Sequence, residues 1–381
     1  MVNPKIALLG ATGSIGTSTL QVVEEQHYQI SLATAHQDYT KLLQIAARHQ
    51  IPCLIFTGIS DKSLQQKLRN ENPKLRFYFG EAELLQALMG EDYSIALNAI
   101  SGSAGLSSSF AILNRDKKLA LANKESLVMA GHLISRLPAS HPIIPVDSEH
   151  SAIFQAIGHH PTEEIRKLHI TASGGAFRDL PLQDFVSITP QQALQHPNWS
   201  MGAKVTLDSA TMFNKALEVM EAHWLFKLPY QQISAILHPQ SVIHSLVEFI
   251  DGSFLAQLST PDMKLPILYA FTYPHRRASS LVSTELAMLP ELSFRQIEKD
   301  RYPLFFIGLQ AAEAGGICPT VVNAAVESAS RLFLNGRIPF NALSTLVQKA
   351  LSHFANIPNP DLETVIRMNQ EVFLWVSKLA D

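Results

Sequence analysis

Short apolar runs alternate with longer stretches of helical periodicity over the first 146 residues of the 381-residue chain. Within Lys41–His49, for example, apolar side chains recur every three or four residues, which is the spacing of one helix face. Strands and helices that alternate in this way are typical of βαβ units and a parallel sheet. We therefore predict a doubly wound, Rossmann-like α/β domain over residues 1–146. Its strands are predicted at Ile6–Gly10, Ile30–Ala35, Cys53–Phe56, Phe77–Gly80, Ile95–Ile100, Leu119–Asn123 and Ile143–Asp147.

The alternating pattern ends near residue 147, and a different mixture of elements follows. Lys167–Ser173 and Ile233–Leu258 have the character of extended strands, and Asp251-Gly252 is a hairpin signal between two apolar runs. Helix-like stretches surround these strands. We therefore predict a central α+β domain over residues 147–273.

The rest of the chain contains no strand-like run. Residues 274–300 carry the proline, arginine and serine residues that are typical of a linker. Beyond it, apolar positions recur at helical spacing, as in Leu343–Phe354. Residues 301–381 are therefore predicted to form a C-terminal α-helical bundle.

Composition narrows the class of protein. The chain has 30 basic and 33 acidic residues, and a net charge of −3 excludes the broad cationic field that non-specific nucleic-acid binding needs. Two cysteines, Cys53 and Cys318, cannot form a disulfide framework or a four-cysteine zinc site, which fits a reducing cytosol. The first strand-like run begins at Lys5, so we expect no signal peptide, and no window has the roughly 18 apolar residues of a membrane span. We expect a cytoplasmic enzyme with neither nucleic-acid nor membrane partners.

A glycine-rich turn follows the first predicted strand. Gly10, Gly13 and Gly16 have GxxGxxG spacing, in which the first permits a sharp turn and the second lets a pyrophosphate approach the backbone. The N–H groups at the start of the next helix favour an anion. A tight turn without ligand is the alternative, but the position at the first strand favours dinucleotide binding. The predicted cofactor contacts are Thr12, Gly13, Ser14 and Ile15.

Two carboxylates follow the strand that ends the first domain. In an extended chain, Asp147 and Glu149 project to the same side, and two such groups repel unless they are protonated or share a cation. Oxygen ligands favour Mg²⁺ or Mn²⁺ over zinc. Taken alone, however, Asp147 and Ser148 more often cap a helix than bind metal.

Three further segments have a functional and a structural interpretation. Lys215 and Glu218 share one face of a predicted helix. They could bind a ligand there, or they could form an ordinary ion pair exposed to solvent. Ser173–Arg178 suits an anion nest or a plain turn. His196–Gly202 suits a lid that excludes water, unless Trp199 packs in the core.

Together, six motifs in one order closely resemble the 1-deoxy-D-xylulose 5-phosphate reductoisomerase family, whose members open the methylerythritol phosphate route to isoprenoids. The similarity extends over essentially the whole chain, including Asp300–Pro303 at the start of the helical region. The motifs are Gly10–Gly16, Asn123–Glu125, Val146–His150, Ser173–Arg178, His196–Gly202 and Asn214–Glu218.

The resemblance implies an NADPH-binding domain, a catalytic domain that also carries the sheet of a homodimer, and a helical bundle. It implies rearrangement of the sugar phosphate, followed by reduction to 2-C-methyl-D-erythritol 4-phosphate. One divalent cation would be bound by Asp147, Glu149 and Glu218.

The resemblance also implies roles for single residues. Lys124, Glu149 and His196 would be catalytic, and Trp199 would lie on the closing loop. The substrate would contact Lys124, Ser148, Glu149, Ser173, His196, Ser209, Asn214, Lys215 and Glu218. NADPH would contact Asn123, Glu125 and Gly202 as well as the glycine turn.

The chain departs from its family after the second strand. Relatives commonly have glycine, a basic or polar residue and asparagine at the positions of His36, Gln37 and Asp38. An acid here ordinarily favours NADH, because it repels a 2′-phosphate. Asp38 also precedes a helical run, however, and as an N-cap its charge would be partly offset by the helix dipole. His36 and Lys41 could then face the phosphate, so NADPH is predicted to remain preferred by a smaller margin.

Two other functions fit the cofactor turn. A dehydrogenase of the semialdehyde type needs an active-site cysteine, and neither Cys53, on an inner strand, nor Cys318, in the helical region, is suitably placed. A non-catalytic dinucleotide sensor would not need three separated carboxylates and a second phosphate site.

Overall fold

The computed structural model describes residues 3–137, 140–197, 199 and 202–379. The strands are β1 (Lys5–Leu9), β2 (Gln29–Ala35), β3 (Cys53–Phe56), β4 (Arg76–Phe79), β5 (Ile95–Asn98), β6 (Lys118–Leu121), β7 (Ile144–Pro145), β8 (Ile165–Ala172), β9 (Ile233–Leu237), β10 (Ile243–Phe249) and β11 (Phe254–Leu258). The helices are α1 (Ser14–Gln26), α2 (Tyr39–His49), α3 (Lys62–Glu71), α4 (Glu81–Gly90), α5 (Leu106–Asn114), α6 (Glu125–Ile134), α7 (Ser148–Ile157), α8 (Pro190–Ala193), α9 (Ala203–Ala210), α10 (Phe213–Phe226), α11 (Lys264–Thr272), α12 (Pro303–Ala314), α13 (Cys318–Leu334), α14 (Ala342–His353) and α15 (Leu362–Lys378).

The chain divides into two structural units. Unit 1 comprises residues 1–123, 136–151 and 262–283, and unit 2 comprises residues 124–135, 152–261 and 284–381. The chain therefore passes from one unit to the other five times. The predicted boundaries at residues 146, 273 and 300 remain a prediction.

Unit 1 is built on a seven-stranded sheet in the order β4-β3-β2-β1-β5-β6-β7, and every pair of neighbouring strands is parallel. Helices cover both faces of such a sheet, which explains why all four residues of β3 are buried and apolar. The strand order reverses between β1 and β5, and ligands bind at the carboxyl ends of strands beside such a reversal. The predicted Rossmann-like sheet is confirmed.

A helix from far along the chain completes unit 1. α11 packs against α1, and just after α1 the ring of Tyr28 lies edge-on to that of Phe271 at a centroid distance of 6.1 Å. The end of α1 is also held by Glu25, whose carboxylate accepts hydrogen bonds from Ser279 and Ser280. Residues 262–283 thus stabilise a domain whose strands all lie before residue 146.

Unit 2 contains a four-stranded mixed sheet in the order β11-β10-β8-β9. β10 and β11 are antiparallel, and the connecting turn includes Gly252, whose φ of +87° favours glycine. The hairpin predicted at Asp251-Gly252 is therefore confirmed. One face of the sheet packs on α10 through a buried cluster that includes Leu168, Val219 and Val247.

The C-terminal part of unit 2 is helical. Within residues 301–379, the described elements are α12 to α15, and α13 packs against both α14 and α15. Before them, Arg295 pairs with Leu237 in an isolated β-bridge. Among the helices in the described ranges, none combines the length and the apolar character needed to cross a membrane.

Candidate active site

The glycine turn between β1 and α1 brings backbone segments close together. Gly10 has a φ of +84°, and a Cβ there would lie 2.6 Å from the carbonyl oxygen of Ala99. A Cβ at Gly16 would overlap the carbonyl group of Ala11, so α1 approaches the strand closely. α1 begins after Gly13 without a side-chain cap or an acidic residue in its first turn. A bound pyrophosphate could therefore accept hydrogen bonds from the backbone N–H groups of this turn.

Asp38 caps α2, as the sequence predicts. Its Oδ1 accepts the backbone N–H of Lys41 at 3.0 Å. The Lys41 ammonium lies 2.7 Å from the carbonyl oxygen of Thr12, so it contacts the glycine turn itself. His36, at the end of β2, has its Nδ1 3.1 Å from Thr57 Oγ1. A cation and an imidazole therefore lie near the carboxyl ends of β1 and β2, while the Asp38 carboxylate is engaged by the start of α2.

Asn123 follows β6 and is buried in unit 1. Its amide nitrogen donates to the carbonyl oxygens of Ile100 at 2.6 Å and Gly102 at 2.7 Å. These bonds fix the segment after β5, which lies at the carboxyl edge of the sheet beside β1.

The predicted extended geometry of Asp147 and Glu149 is wrong. α7 begins at Ser148, and Glu149 lies in its first turn. The reason is capping: Asp147 Oδ1 accepts the N–H of Glu149 at 3.2 Å, and its carbonyl accepts the N–H of Ser151 at 2.8 Å. Ser148 donates to the Glu149 carboxylate, and the buried His150 has its Nδ1 3.3 Å from Asp147 Oδ1.

In unit 2, the side chains at the start of α10 form a cluster around Glu218, which we call the α10 cluster. Lys215 Nζ lies 2.5 Å from one carboxylate oxygen, and Asn214 donates to the other at 2.6 Å. Lys124, from the residue before α6, lies 2.9 Å from Asn214 Oδ1 and 3.3 Å from Glu218.

Burial rules out the solvated pair that the spacing alone allowed. Lys124, Lys215 and Glu218 are 8%, 4% and 1% exposed. Two ammonium groups therefore surround one carboxylate in a site that is nearly closed to water. Such an excess of positive charge suits an anion such as a phosphate.

His196 links two serines of unit 2. Its Nε2 lies 3.0 Å from Ser173 Oγ and 3.1 Å from Ser209 Oγ, while its Nδ1 accepts the backbone N–H of Trp199 at 3.0 Å. Because Nδ1 accepts, the proton of a neutral ring lies on Nε2. The ring of Trp199 is half-buried, 6.1 Å from that of His244.

The turn after β8 brings Ser173 close to α9. Gly174 and Gly175 have φ values of +85° and +67°, and a Cβ at Gly175 would lie 2.5 Å from the carbonyl oxygen of Ser209. Glycine is therefore required at Gly175 for this close approach. The segment is a turn, with the hydroxyl group of Ser173 at its edge.

Sequence reasoning missed Lys204 and Asp208. Lys204 Nζ lies 2.9 Å from Glu125 and 2.8 Å from Asp208, both of which are buried. Burial acts most strongly and would raise the pKa of Glu125, but the charge and hydrogen bond of Lys204, a backbone hydrogen bond and the Lys124 charge together lower it. Burial raises the pKa of Asp208, which Lys204 offsets only in part. The spacing of Lys204 and Asp208 signals a helical pair, whereas Glu125 is 79 residues away.

The predicted residues are distributed over both units. Gly202, a predicted cofactor contact, is the extended N-cap of α9 in unit 2. The predicted metal ligands Asp147 and Glu149 belong to unit 1, and Glu218 to unit 2. Unit 1 holds Thr12, Gly13, Ser14, Ile15, His36, Asp38, Asn123, Asp147, Ser148 and Glu149. Unit 2 holds Lys124, Glu125, Ser173, His196, Gly202, Ser209, Asn214, Lys215 and Glu218.

Three family models match successive parts of the chain. The model described as 1-deoxy-D-xylulose 5-phosphate reductoisomerase matches residues 6–131. Models of the C-terminal domain of the same enzyme match residues 143–226 and 258–373.

Relatives of known name align over almost the full chain. A 1-deoxy-D-xylulose 5-phosphate reductoisomerase of Listeria monocytogenes serovar 1/2a is 42% identical over 98% of this chain and 99% of its own length. That of Bacillus subtilis strain 168 is 41% identical over the same shares of the two chains.

Solved structures agree with this alignment. The enzyme from Zymomonas mobilis in complex with NADPH superposes with a TM-score of 0.90 at 36% identity, covering 100% of both chains. A reductoisomerase in complex with NADPH, fosmidomycin and magnesium gives a TM-score of 0.92 at 36% identity, covering 99% of this chain and 98% of the other. The chain belongs to the 1-deoxy-D-xylulose 5-phosphate reductoisomerase family.

Proposed function

We propose that the protein converts 1-deoxy-D-xylulose 5-phosphate to 2-C-methyl-D-erythritol 4-phosphate, using NADPH and one divalent cation, Mg²⁺ or Mn²⁺. This reaction begins the methylerythritol phosphate route to isoprenoids. Identity of 42% over nearly the whole length of a relative supports it. The observation that carries it is the α10 cluster, in which two buried ammonium groups surround one carboxylate.

The substrate phosphate is assigned to one end of this cluster. Lys215 neutralises it, Asn214 donates an amide N–H, and the hydroxyl groups of Ser173 and Ser209 complete its hydrogen bonds. Each of these groups also has a polar partner within unit 2, and these hydrogen bonds hold the site in place.

The metal would be held by Asp147, Glu149 and Glu218. Their carboxylate oxygens are the hard ligands that Mg²⁺ and Mn²⁺ prefer, and Glu218 would exchange its contact with Lys215 for the cation. The backbone N–H groups at the start of α1, after Gly13, have no side-chain cap, so they can donate hydrogen bonds to the pyrophosphate of the cofactor. When bound, NADPH supplies a hydride and the cation polarises substrate oxygens.

The chain's own residues position the substrate and exclude water. Ser148 and Glu149 would contact its hydroxyl groups, and Lys124 would hold its oxygens at the centre of the α10 cluster. His196 can donate from Nε2 while Trp199 holds its Nδ1, so the imidazole is fixed in orientation. The rate enhancement assigned to these groups comes from orientation and charge stabilisation.

The remaining assignments concern the cofactor. Thr12, Gly13, Ser14 and Ile15 would contact the pyrophosphate, and His36 with Lys41 the 2′-phosphate. Asp38 would influence the choice between NADPH and NADH. Asn123, Glu125 and Gly202 would make further contacts with NADPH.

We also propose a cytoplasmic homodimer. β11 is an edge strand of the unit 2 sheet, yet its side chains Phe254, Leu255 and Leu258 are 52%, 45% and 40% exposed. An unprotected apolar edge of this kind pairs readily with a second copy.

A single assay tests the proposed function. Purified protein is mixed with 1-deoxy-D-xylulose 5-phosphate, Mg²⁺ and NADPH, and absorbance loss is followed together with product identification by mass spectrometry. We expect metal-dependent formation of 2-C-methyl-D-erythritol 4-phosphate. Oxidation of NADPH only with a simple aldehyde substrate, or turnover undiminished by chelator, would favour an ordinary dehydrogenase and overturn the proposal.

A further inference from the structure

We propose that Lys204 is a positioning residue for the reaction and acts through Glu125 and Asp208 instead of contacting the substrate. This inference rests on the proposed function. Nothing in the sequence motifs singles Lys204 out, yet its ammonium joins two carboxylates from different helices at 2.9 and 2.8 Å.

Both carboxylates adjoin residues assigned to the substrate. Glu125 is the first residue of α6 and directly follows Lys124, whose Nζ lies 2.9 Å from Asn214. Asp208 directly precedes Ser209, whose hydroxyl group lies 3.1 Å from His196 Nε2. One ammonium group therefore sets the separation of the two backbone segments that present Lys124 and Ser209.

Charge, more than packing, gives Lys204 this role. Glu125 and Asp208 are 6% and 2% exposed, so water cannot replace the ammonium group effectively. Removing one partner of a buried ion pair leaves an uncompensated charge. Without Lys204, the link between α6 and α9 is lost, because the two buried carboxylates then repel each other or one takes up a proton, and Lys124 and Ser209 would move with them.

A purely structural clamp would have a different signature. It would lower the stability of the fold but leave the catalytic efficiency of the folded protein unchanged. A positioning residue changes the geometry at His196 even without substrate, because Ser209 is displaced. The hydrogen-bonded imidazole of His196 therefore provides a readout that does not depend on the loaded enzyme.

The test compares Lys204→Met with Lys204→Arg, which keeps the charge. Ile165→Ala, in the unit 2 core, controls for lost stability alone. Steady-state kinetics at saturating NADPH and Mg²⁺ give kcat and KM. The proteins are also labelled at histidine ¹³Cε1, with His196 assigned through His196→Asn. His169, bonded to Glu248 at 2.9 Å on the sheet, is the internal reference.

We expect Lys204→Met to lower kcat roughly 100-fold, as for a misplaced catalytic group, with a smaller change in KM. The His196 resonance should shift while that of His169 stays, and Lys204→Arg should recover most of both effects. Ile165→Ala should lower the melting temperature only. Retained kcat and an unmoved His196 resonance in folded Lys204→Met would overturn the proposal.

An inactive wild-type protein or an unfolded Lys204→Met variant would each still leave a test of the role of Lys204. If the wild-type protein does not turn over the sugar phosphate, the proposed function fails, while the resonance of His196 still tests the position of Ser209. If Lys204→Met does not fold, Asp208→Asn removes only one of the two ion pairs. We expect a smaller shift of the same resonance, and its absence would count against the proposal.

Discussion

Lys215 and Glu218 lie one helical turn apart on α10, and the Lys215 ammonium is 2.5 Å from a carboxylate oxygen of Glu218. The first is assigned to the substrate phosphate and the second to the metal. Each therefore neutralises the charge of the other, which allows both to be buried. Under the proposed function, the pair would exchange this contact for a phosphate and a cation of matching charge.

Glu218→Gln should abolish metal-dependent turnover and leave NADPH binding intact. A neutral amide is a weaker ligand than a carboxylate, so we expect metal affinity to fall by about 100-fold, the upper end of the loss typical even of residues that only support a ligand. Calorimetric titration with Mn²⁺ measures this directly. Glu221→Gln is the matched control, since Glu221 is buried one turn further along the same helix. Wild-type metal affinity in Glu218→Gln would remove Glu218 from the ligand set.

Lys215→Ala should raise the KM for the sugar phosphate without changing NADPH affinity. A lost hydrogen bond to a charged group costs about 1.5–3 kcal/mol, or roughly a 10- to 100-fold rise. Steady-state kinetics and NADPH fluorescence titration separate the two ligands. Lys227→Ala, exposed at the end of the same helix, should behave as wild type. A parallel loss of NADPH affinity would place Lys215 at the cofactor instead.

Trp199→Ala should lower kcat/KM but leave the melting temperature nearly unchanged. The half-buried ring of Trp199 contacts His244 and so holds the segment whose backbone N–H orients His196. Deleting a core aromatic would instead cost about 3–5 kcal/mol. Phe333→Ala is the opposite control, because Phe333 is only 1% exposed in α13. It should lower stability and leave kcat/KM unchanged. A marked fall in the melting temperature of Trp199→Ala would show that Trp199 packs in the core and would contradict the prediction.

NADPH should be preferred over NADH by a margin that widens in Asp38→Asn. The carboxylate of Asp38 is directed to the start of α2, but its charge remains near the predicted 2′-phosphate position. The ratio of kcat/KM for the two cofactors gives the answer. Asp61→Asn likewise removes a carboxylate charge at an N-cap, that of α3, and should leave the ratio unchanged. Equal or better use of NADH by the wild-type protein would contradict the capping argument.

Leu255→Asp should weaken the proposed homodimer. A charge placed on the exposed edge strand β11 would face the same charge of a second copy across the predicted pairing. Light scattering after size exclusion should give twice 42.1 kDa for the wild type and a smaller mass for the variant. Leu374→Asp, at a side chain 57% exposed on α15, is the control. An unchanged dimer in Leu255→Asp would move the interface elsewhere.

The strands of unit 1 could be predicted because each is buried on both faces. A parallel strand under helices reads as a continuous apolar run, as in Cys53–Phe56, and such a run needs no knowledge of its partners. The cap at Asp38 is likewise local, because donor and acceptor are three residues apart.

Other features depend on distant partners and could not be predicted. Whether Asp147 continues the strand or caps a helix depends on which N–H groups its carboxylate reaches. Lys204 gains its second partner from α6, and the burial that turns Lys215 and Glu218 into a site comes from the packing of α10 against α6 and α12. Sequence spacing describes one helix face and not what covers it.

The five crossings of the chain between units 1 and 2 restrict how this enzyme can be divided. Asn123 and Lys124 are covalent neighbours, yet they belong to different units and are assigned to different ligands. Because unit 1 also needs residues 262–283, a fragment that ends near residue 146 would lack α11 and leave its partner surface on α1 open to water. The nucleotide-binding unit therefore cannot be moved to another protein as one continuous segment. Exchanging it between relatives would require grafting three separate segments at once.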